Sequence, residues 1–586
     1  MQGELWPLLT EVKRPVRYVG GEWGSLPVKE GAGLVRFCLA FPDVYEVGMS
    51  YLGYQILYAL LRGMDCADVE RAYCPWPDME EAMRRRAYPL GSLESGRRLS
   101  DFDAVGVTLQ YELCSTNILT MLDLGGIPLR SADRRDADPL VIGGGGGALT
   151  PAPLEIFFDA FALGDGEAIL PDLVRALHGN KGRPRAERLA AVAAVPGMYV
   201  PGISALPVRR RIVREPDEAF AHRTMVVPNG SIIHDRVAVQ VFKGCTHGCR
   251  FCQAGMIDRP LRERGAASVA EQIEALLDYT GWEEVGLLSL ATCDWSPLGD
   301  LLERLGPLLS ERGVKLSLPS LRMDAFSVDL AARLEGMRRG GLTFAPEAGS
   351  ERLRRVVNKG LDDGDVEAAL DAAFRHGWDR VKLYFMMGLP TETDADLDGI
   401  VDIANRAVYH ARQHKRKGDV SVSLAGFVPK AHTPFQWEPQ ASREELRERG
   451  RSVKSRVRSR KITLSYHEPD QTFLEGVFAR GDRALGEATM EAWRRGARFD
   501  GWTEWFDLER WLAVFRDLEI DPQAYACRAR ALDEPLPWDG IDTGVTREFL
   551  IEERRRALGE IRTPNCRDAG CNACGWQRRE GMCAHV

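Results

Sequence analysis

Three cysteines within ten residues, Cys245, Cys249 and Cys252 in the stretch KGCTHGCRFC, are the part of this sequence best equipped for chemistry. Their C-x3-C-x2-C spacing gathers three soft ligands, and iron–sulfur clusters are held by such thiolates, ordinarily four of them. Three close-set thiolates with no fourth nearby leave one iron open to a substrate. The same logic separates open catalytic zinc sites from closed structural ones. The plainer readings of the spacing are a zinc knuckle or a chance grouping of buried cysteines. A second set, Cys566, Cys571, Cys574 and Cys583, follows C-x4-C-x2-C-x8-C, with His585 as an alternative donor. Four thiolates so close together form a closed metal site, and zinc and an auxiliary [4Fe–4S] cluster both accept them. The bland alternative is a flexible tail of uncoordinated thiols.

The elements around the first set are those of an α/β fold. A run with strand character, residues 237–242 (VAVQVF), leads straight into it and puts the thiols on a loop at a strand's carboxyl end. Further strands are expected at 285–290, 315–319, 342–345, 380–386 and 420–427, with helical patterns such as 268–279 and 298–309 between them. Six βα units at this spacing predict a partial TIM-like barrel with its site at the strand carboxyl ends. Residues 1–195 alternate in the same way, with strands at 35–41, 104–109, 140–142 and 160–163 and helices at 53–62 and 115–123. That pattern predicts a doubly wound, Rossmann-like sheet. Two glycine-rich turns follow its strands, Gly143–Gly147 and Gly164-Asp165-Gly166-Glu167, where a ligand can approach the backbone closely or the chain simply turns tightly.

Composition sets the limits. At 586 residues the chain is too long for one core and predicts three or four domains. The expected divisions are 1–195, a linker 196–235, a barrel 236–440, an α+β extension 441–560 and a cysteine-rich tail 561–586. A net charge of −8 argues against a protein that coats nucleic acid. No apolar run reaches the ~18 residues of a membrane helix, and no secretory signal is visible at the amino terminus. Thirteen cysteines are too sparse for a disulfide scaffold, and seven of them fall in the two sets. The expected compartment is the cytoplasm. Residues 442–461 hold nine basic and three acidic side chains. A solvated helix face explains such a run, and contact with a nucleic-acid backbone is the sharper reading. The aromatic set Trp493, Trp502, Trp505, Phe506 and Trp511 reads as core rather than as a base-stacking platform.

C-x3-C-x-Φ-C, with Phe251 as the aromatic Φ, closely resembles the signature of the radical S-adenosylmethionine (SAM) superfamily. The resemblance implies a [4Fe–4S] cluster on Cys245, Cys249 and Cys252 whose open iron chelates SAM, reductive cleavage to a 5′-deoxyadenosyl radical, and an electron donor such as flavodoxin or ferredoxin. Polar residues at the barrel's strand ends then become candidate SAM contacts. Thr292 and Asp294 lie in LATCDW. In APEAGSERLRRVVNKG, Glu347 is placed for the ammonium or ribose and Arg355 for the carboxylate. Lys382 lies on the fifth strand, and Gly388 opens a turn, MGLPTET, suited to the adenine. These stretches and FVPKAHTPFQW resemble the subgroup of methylthiotransferases and cobalamin-type members. FPDVYEVGMSYLGYQ (41–55), the turn from Gly143 to Glu155 and LGDGEA (163–168) resemble the cobalamin-binding-type domain that precedes many such barrels. The family's D-x-H-x-x-G motif is absent, so cobalamin would bind here without that histidine. Methyl transfer is implied if cobalamin binds, with RNA or an RNA-bound protein as a substrate guess. The alternatives are a methylthiotransferase-like tRNA-modifying enzyme, for which Cys38, Cys66, Cys74 and Cys114 are scattered rather than grouped, and a non-catalytic iron–sulfur or zinc protein that binds RNA.

Overall fold

The computed structural model describes residues 2–318, 322–323 and 342–577. Its first sheet consists of β1 (Val35–Phe41), β2 (Ala67–Tyr73), β3 (Ala104–Thr108), β4 (Leu140–Gly144), β5 (Ala160–Ala162) and β6 (Met198–Tyr199), in the order β2-β1-β3-β4-β5-β6. All pairings are parallel except β5 with β6. The strands read as apolar runs because both faces are covered. Phe37 and Leu39 pack on Tyr54, Tyr58 and Leu173, whereas Cys38 and Ala40 pack with Ile118, Leu119 and Leu122. This is a doubly wound sheet.

β2 escaped the sequence reading because ADVERAY looks like surface, yet all seven of its residues are buried. Charge pairing makes that tolerable. Arg62 meets Asp68 at 2.8 Å, Arg97 meets Glu70 at 2.7 Å, and Arg71 lies between Glu22 at 2.9 Å and Glu94 at 2.6 Å.

A connecting segment carries β7 (Val208–Arg209), which pairs in parallel with Ile541–Asp542. The second α/β body then begins with β8 (Val237–Gln240). Next, β9 (Phe242–Lys243) pairs antiparallel with β10 (Arg262–Glu263), so the cysteine loop is the inside of a small hairpin. β8 pairs in parallel with β11 (Glu284–Leu288), which in turn pairs in parallel with β12 (Lys315–Ser317). A second parallel arc follows: β13 (Leu342–Glu347), β14 (Arg380–Met387), β15 (Asp419–Gly426) and β16 (Ile462–Tyr466). The arc therefore gains a strand beyond residue 440, in a stretch whose polar alternation had not marked it. Val381, Leu383, Phe385 and Met387 face the helices Asp363–Arg375 and Asp394–Gln413, as the period of two requires.

The carboxyl-terminal part is mainly helical. Phe473, Val477, Trp511 and Phe515 form its own core. Trp493 and Trp502 tie it to the first sheet by indole N–H bonds to Thr120 Oγ1 (3.0 Å) and Asp43 Oδ1 (3.1 Å). The basic run forms the helix Arg443–Arg456, opened by a Ser442/Glu445 capping box. Arg443, Arg447, Arg449, Arg456 and Lys461 are in ion pairs with carboxylates. That engagement removes much of the charge on which an RNA contact there would rely. No helix among the described residues is long and apolar enough to cross a membrane.

Candidate functional site

The cysteine loop is held at its neck by Gly244, at φ +85°, where a Cβ would sit 2.3 Å from the Pro260 carbonyl. Only glycine fits that approach. Cys252 caps the helix Gln253–Ile257, its sulfur accepting the Gly255 N–H at 3.2 Å. Burial raises the Cys245 thiol and pushes that of Cys252 up to about 12, with the neighbouring Cys249 charge the next cause in each. Three thiols this close resist joint ionisation, and a metal centre is what stabilises them as thiolates. Among the described residues no group of three donors is already gathered to hold a metal ion.

Arg250, wholly buried between two of the cysteines, fastens the loop to the rest of the chain. Its Nε donates to Glu553 at 3.0 Å, Nη1 to the Arg355 and Val356 carbonyls at 3.0 Å, and Nη2 to Ile561 O at 2.8 Å and Thr563 Oγ1 at 3.1 Å. Asn358 adds a second fastening, donating to His247 O at 3.0 Å and Gly248 O at 3.2 Å while accepting Thr563 N–H at 2.9 Å.

Of the residues expected around SAM, some come to this loop. Asp294 Oδ2 lies 2.6 Å from His247 Nε2. Glu347, at φ +68° beyond a bulge in β13, binds Lys359 at 3.0 Å. Burial works against the Lys359 ammonium, but Glu347 and the Cys249 charge outweigh it and hold its pKa above the usual value. Phe251 packs beside Ala348, Leu353 and Leu389. Gly388, at φ +81°, donates its N–H to Glu392 at 2.8 Å. Thr292 is buried and bonded to Ser289 at 2.9 Å.

Thr292 thus stays with its own strand end and Gly388 with Glu392 and the helix Arg443–Arg456, and Arg355 and Lys382 are not brought to the loop either. The half-exposed Arg355 side chain pairs with Glu351 at 2.7 Å on its own helix, and only its carbonyl takes part, through Arg250. Lys382 is exposed, low on β14, with its ammonium 4.5 Å from the Tyr384 ring. His247, Asn358, Lys359 and Arg259 were missed, although three of them sit inside stretches singled out for their motifs.

The tail cysteines lie against the same loop, which no sequence signal indicated. Cys566 Sγ is 3.8 Å from the Thr246 carbonyl. Burial raises its thiol, the Arg259 guanidinium opposes that, and the Cys574 and Cys571 charges add to it. The fully buried Arg259 guanidinium stands between the two cysteine sets, interacting with Cys574, Cys566 and Cys245. Cys583 and His585 lie outside the described residues.

A cavity of about 670 Å³ opens between the carboxyl ends of the first sheet and the cysteine loop. Tyr51 and Gly143–Gly145 wall one side and Lys243, Gly244 and Leu290 the other. Lys243, the residue two before Cys245, meets Glu167 at 2.8 Å and Asp165 at 3.5 Å, while Arg262 meets Asp165 at 2.6 Å. These charges hold the Asp165 carboxyl below its usual range despite burial. The GDGE turn is thus ion-paired to the cysteine loop. Gly164, at φ +123°, would put a Cβ 1.9 Å from the Arg211 carbonyl. His234, on the connecting segment, also lines this cavity. Of the four amino-terminal cysteines, Cys38, Cys74 and Cys114 belong to one core and Cys66 packs on the other, and among the described residues they form no gathered group of three metal donors.

Two family models match the chain: "Radical SAM proteins, N-terminal" over residues 53–201 and "Radical SAM superfamily" over residues 239–404. An uncharacterized protein of Methanocaldococcus jannaschii is 26% identical over 400 residues, covering 67% of this chain and 81% of that one. The ribosomal protein uS12 methylthiotransferase RimO of Desulfotalea psychrophila is 27% identical over 170 residues, 28% of this chain and 38% of its own length. Among solved structures, the radical SAM methyltransferase TsrM of Kitasatospora setae, with cobalamin and a [4Fe–4S] cluster bound, matches with a TM-score of 0.49. Its identity is 16%, covering 69% of this chain and 77% of that one.

Proposed function

Because this chain belongs to the radical SAM superfamily, we propose that Cys245, Cys249 and Cys252 hold a [4Fe–4S] cluster at which it cleaves SAM, and that the cavity beside them takes a corrinoid. Bound there, the cluster supplies the single electron that splits SAM into methionine and a 5′-deoxyadenosyl radical. The chain's own part is positioning. Gly244 and Arg250 fix the loop, Lys359 places a cation beside Cys249, and Glu347 and Asp294 bring carboxylates to the loop's edge. Burial of the loop excludes water and lowers the local dielectric, which strengthens each of these interactions.

The observation that carries the corrinoid is the cavity itself. It joins the carboxyl ends of a doubly wound sheet, where such folds bind ligands, to Lys243 and Gly244 of the cysteine loop. Gly144 faces open space, with only the Ala162 methyl 4.0 Å from where its Cβ would be, so a planar macrocycle meets little there. Methyl transfer is the reaction that this pairing of groups serves. Cys566, Cys571 and Cys574 hold a second metal in this reading, zinc or a cluster, on the far side of Arg259.

The test is titration with hydroxocobalamin, followed by absorbance and equilibrium dialysis. The native chain is expected to bind it stoichiometrically, and Gly144→Leu, which fills the cavity without backbone strain, to lose most of that binding. No uptake by the native chain, or equal uptake by the variant, removes the corrinoid from the account.

A further inference from the structure

The chain carries a net charge of −8, yet two of its turns are strongly basic. RQHKRKG (412–418) follows the helix Asp394–Gln413, and RSRK (458–461) precedes β16. They are separated in sequence and side by side in space. Val420 and Ile462 are register partners in β15 and β16, and the Val420 N–H donates to the Lys461 carbonyl at 2.9 Å. Neighbouring strands run about 4.8 Å apart, so the two turns meet at the amino ends of these strands. Arg412, Lys415, Arg416, Lys417, Arg458 and Arg460 are all exposed, and none of the six makes an ion pair with the described residues.

Two carboxylates adjoin the turns. Asp419 pairs with Lys461 at 3.2 Å, and Asp379 accepts the Lys417 N–H at 3.1 Å. His414 turns away to Asp371 at 2.6 Å. A large excess of positive charge is left, unlike on the helix Arg443–Arg456, where Arg447, Arg449 and Arg456 are spent on carboxylates. Tyr409, 58% exposed, lies three residues before Arg412 on the same helix face. No other large apolar side chain of residues 405–418 or 457–463 is exposed. A membrane-binding surface would carry several. Cations crowded on adjoining turns repel one another, and a polyanion relieves that repulsion while shedding its own counterions. A bare ring among cations is what base stacking and backbone contact use together.

We propose that this face binds the phosphate backbone of a single-stranded RNA segment, with Tyr409 as the platform on which one base stacks. Binding there depends on the charge and placement of the two turns and is independent of the radical SAM reading. The eight residues of β15 span about 26 Å, which separates the face from the carboxyl ends of the strands. The face therefore anchors a polymer and takes no part in the chemistry.

The test is fluorescence anisotropy of the full chain with a labelled single-stranded RNA of about 20 nucleotides and mixed sequence, read between about 50 and 200 mM salt. Phosphate contacts by about four of the cations predict a log–log slope near −2.8, or binding about fiftyfold weaker across that range. Lys415→Glu/Lys417→Glu is expected to weaken Kd about tenfold or more and to flatten the slope. Tyr409→Ala is expected to weaken it about fivefold with the slope unchanged. Lys13→Glu/Arg98→Glu, an equal charge reversal on exposed residues of the first body, should change it less than about twofold. No binding by the native chain, equal weakening by the two pairs, or no weakening by the first overturns the proposal. So does heparin that displaces the RNA together with a Tyr409→Ala chain that binds RNA as the native chain does, because a general polyanion surface needs no ring. If the charge reversal lowers the Tm, Lys415→Gln/Lys417→Gln carries the comparison, with the same outcomes deciding.

Discussion

Replacing Arg250 by methionine keeps the apolar stem and removes the guanidinium that fastens the cysteine loop to the carboxyl-terminal part. Glu553, 2% exposed, then stays buried without its cation. The carbonyls of Arg355, Val356 and Ile561 each lose a donor as well. Breaking one side of a buried pair costs about 3–5 kcal/mol. Thr563 Oγ1 still reaches Glu553 at 2.8 Å, which puts the expected loss near the lower end, about 3 kcal/mol. Native-state hydrogen exchange on residues 246–253 reads this locally. Since 1.36 kcal/mol is a factor of ten, their protection is expected to fall by roughly two orders of magnitude. Adding Glu553→Gln to the Arg250→Met chain should recover part of the loss, because the stranded charge is then gone. Arg355→Ala, which removes a half-exposed pair, should cost under about 0.5 kcal/mol. A change in protection below about fivefold for Arg250→Met, or one no larger than for Arg355→Ala, would refute the reasoning.

Three further outcomes are expected. Gly164→Ala must take up φ +123° with its Cβ against the Arg211 carbonyl, so it should lose at least ~2 kcal/mol by thermal denaturation; an unchanged Tm contradicts this. His432 is buried, with its Nε2–H on the Leu149 carbonyl at 2.9 Å, and burial lowers its pKa to about 4 from 6.5. The unfolded chain then binds the proton that the folded chain refuses, so stability is full above pH 6.5 and falls as pH drops towards 4, by about 1.4 kcal/mol per unit. His432→Asn should flatten that part of the pH–stability curve, and an identical slope in both chains refutes the assignment. Lys430 Nζ joins Glu112 of the first body at 2.5 Å to Glu475 of the carboxyl-terminal part at 2.7 Å. Lys430→Met leaves two facing carboxylates and should cost about 3 kcal/mol, seen as faster limited proteolysis between these parts; unaltered digestion would argue against it.

The placement of Cys245, Cys249 and Cys252 on one loop after a strand was legible in the sequence from their spacing and the apolar run before them, as were the two glycine turns that border the cavity beside that loop. The parallel sheets were legible because buried strands declare themselves by runs of Val, Ile and Leu. β2 was not, since Asp68, Glu70 and Arg71 become core residues only through Arg62, Arg97, Glu22 and Glu94, which lie elsewhere in the chain. Arg355 and Lys359 show the same limit inside one motif. Both are basic and four residues apart, yet a helix turn sends Arg355 to Glu351 on the surface and Lys359 to Glu347 beside Cys249. The approach of Cys566 to Thr246 is a contact between residues 320 apart, and no local pattern encodes it.

The central claim is tested most directly by reconstituting the protein with iron and sulfide without oxygen and incubating it with SAM and dithionite. 5′-Deoxyadenosine and methionine are then assayed, with Cys249→Ala as control. The account predicts both products in equal amounts from the native chain and neither from the variant. A native chain that carries its full iron complement and releases no nucleoside, or a variant that releases as much as the native chain, would contradict it.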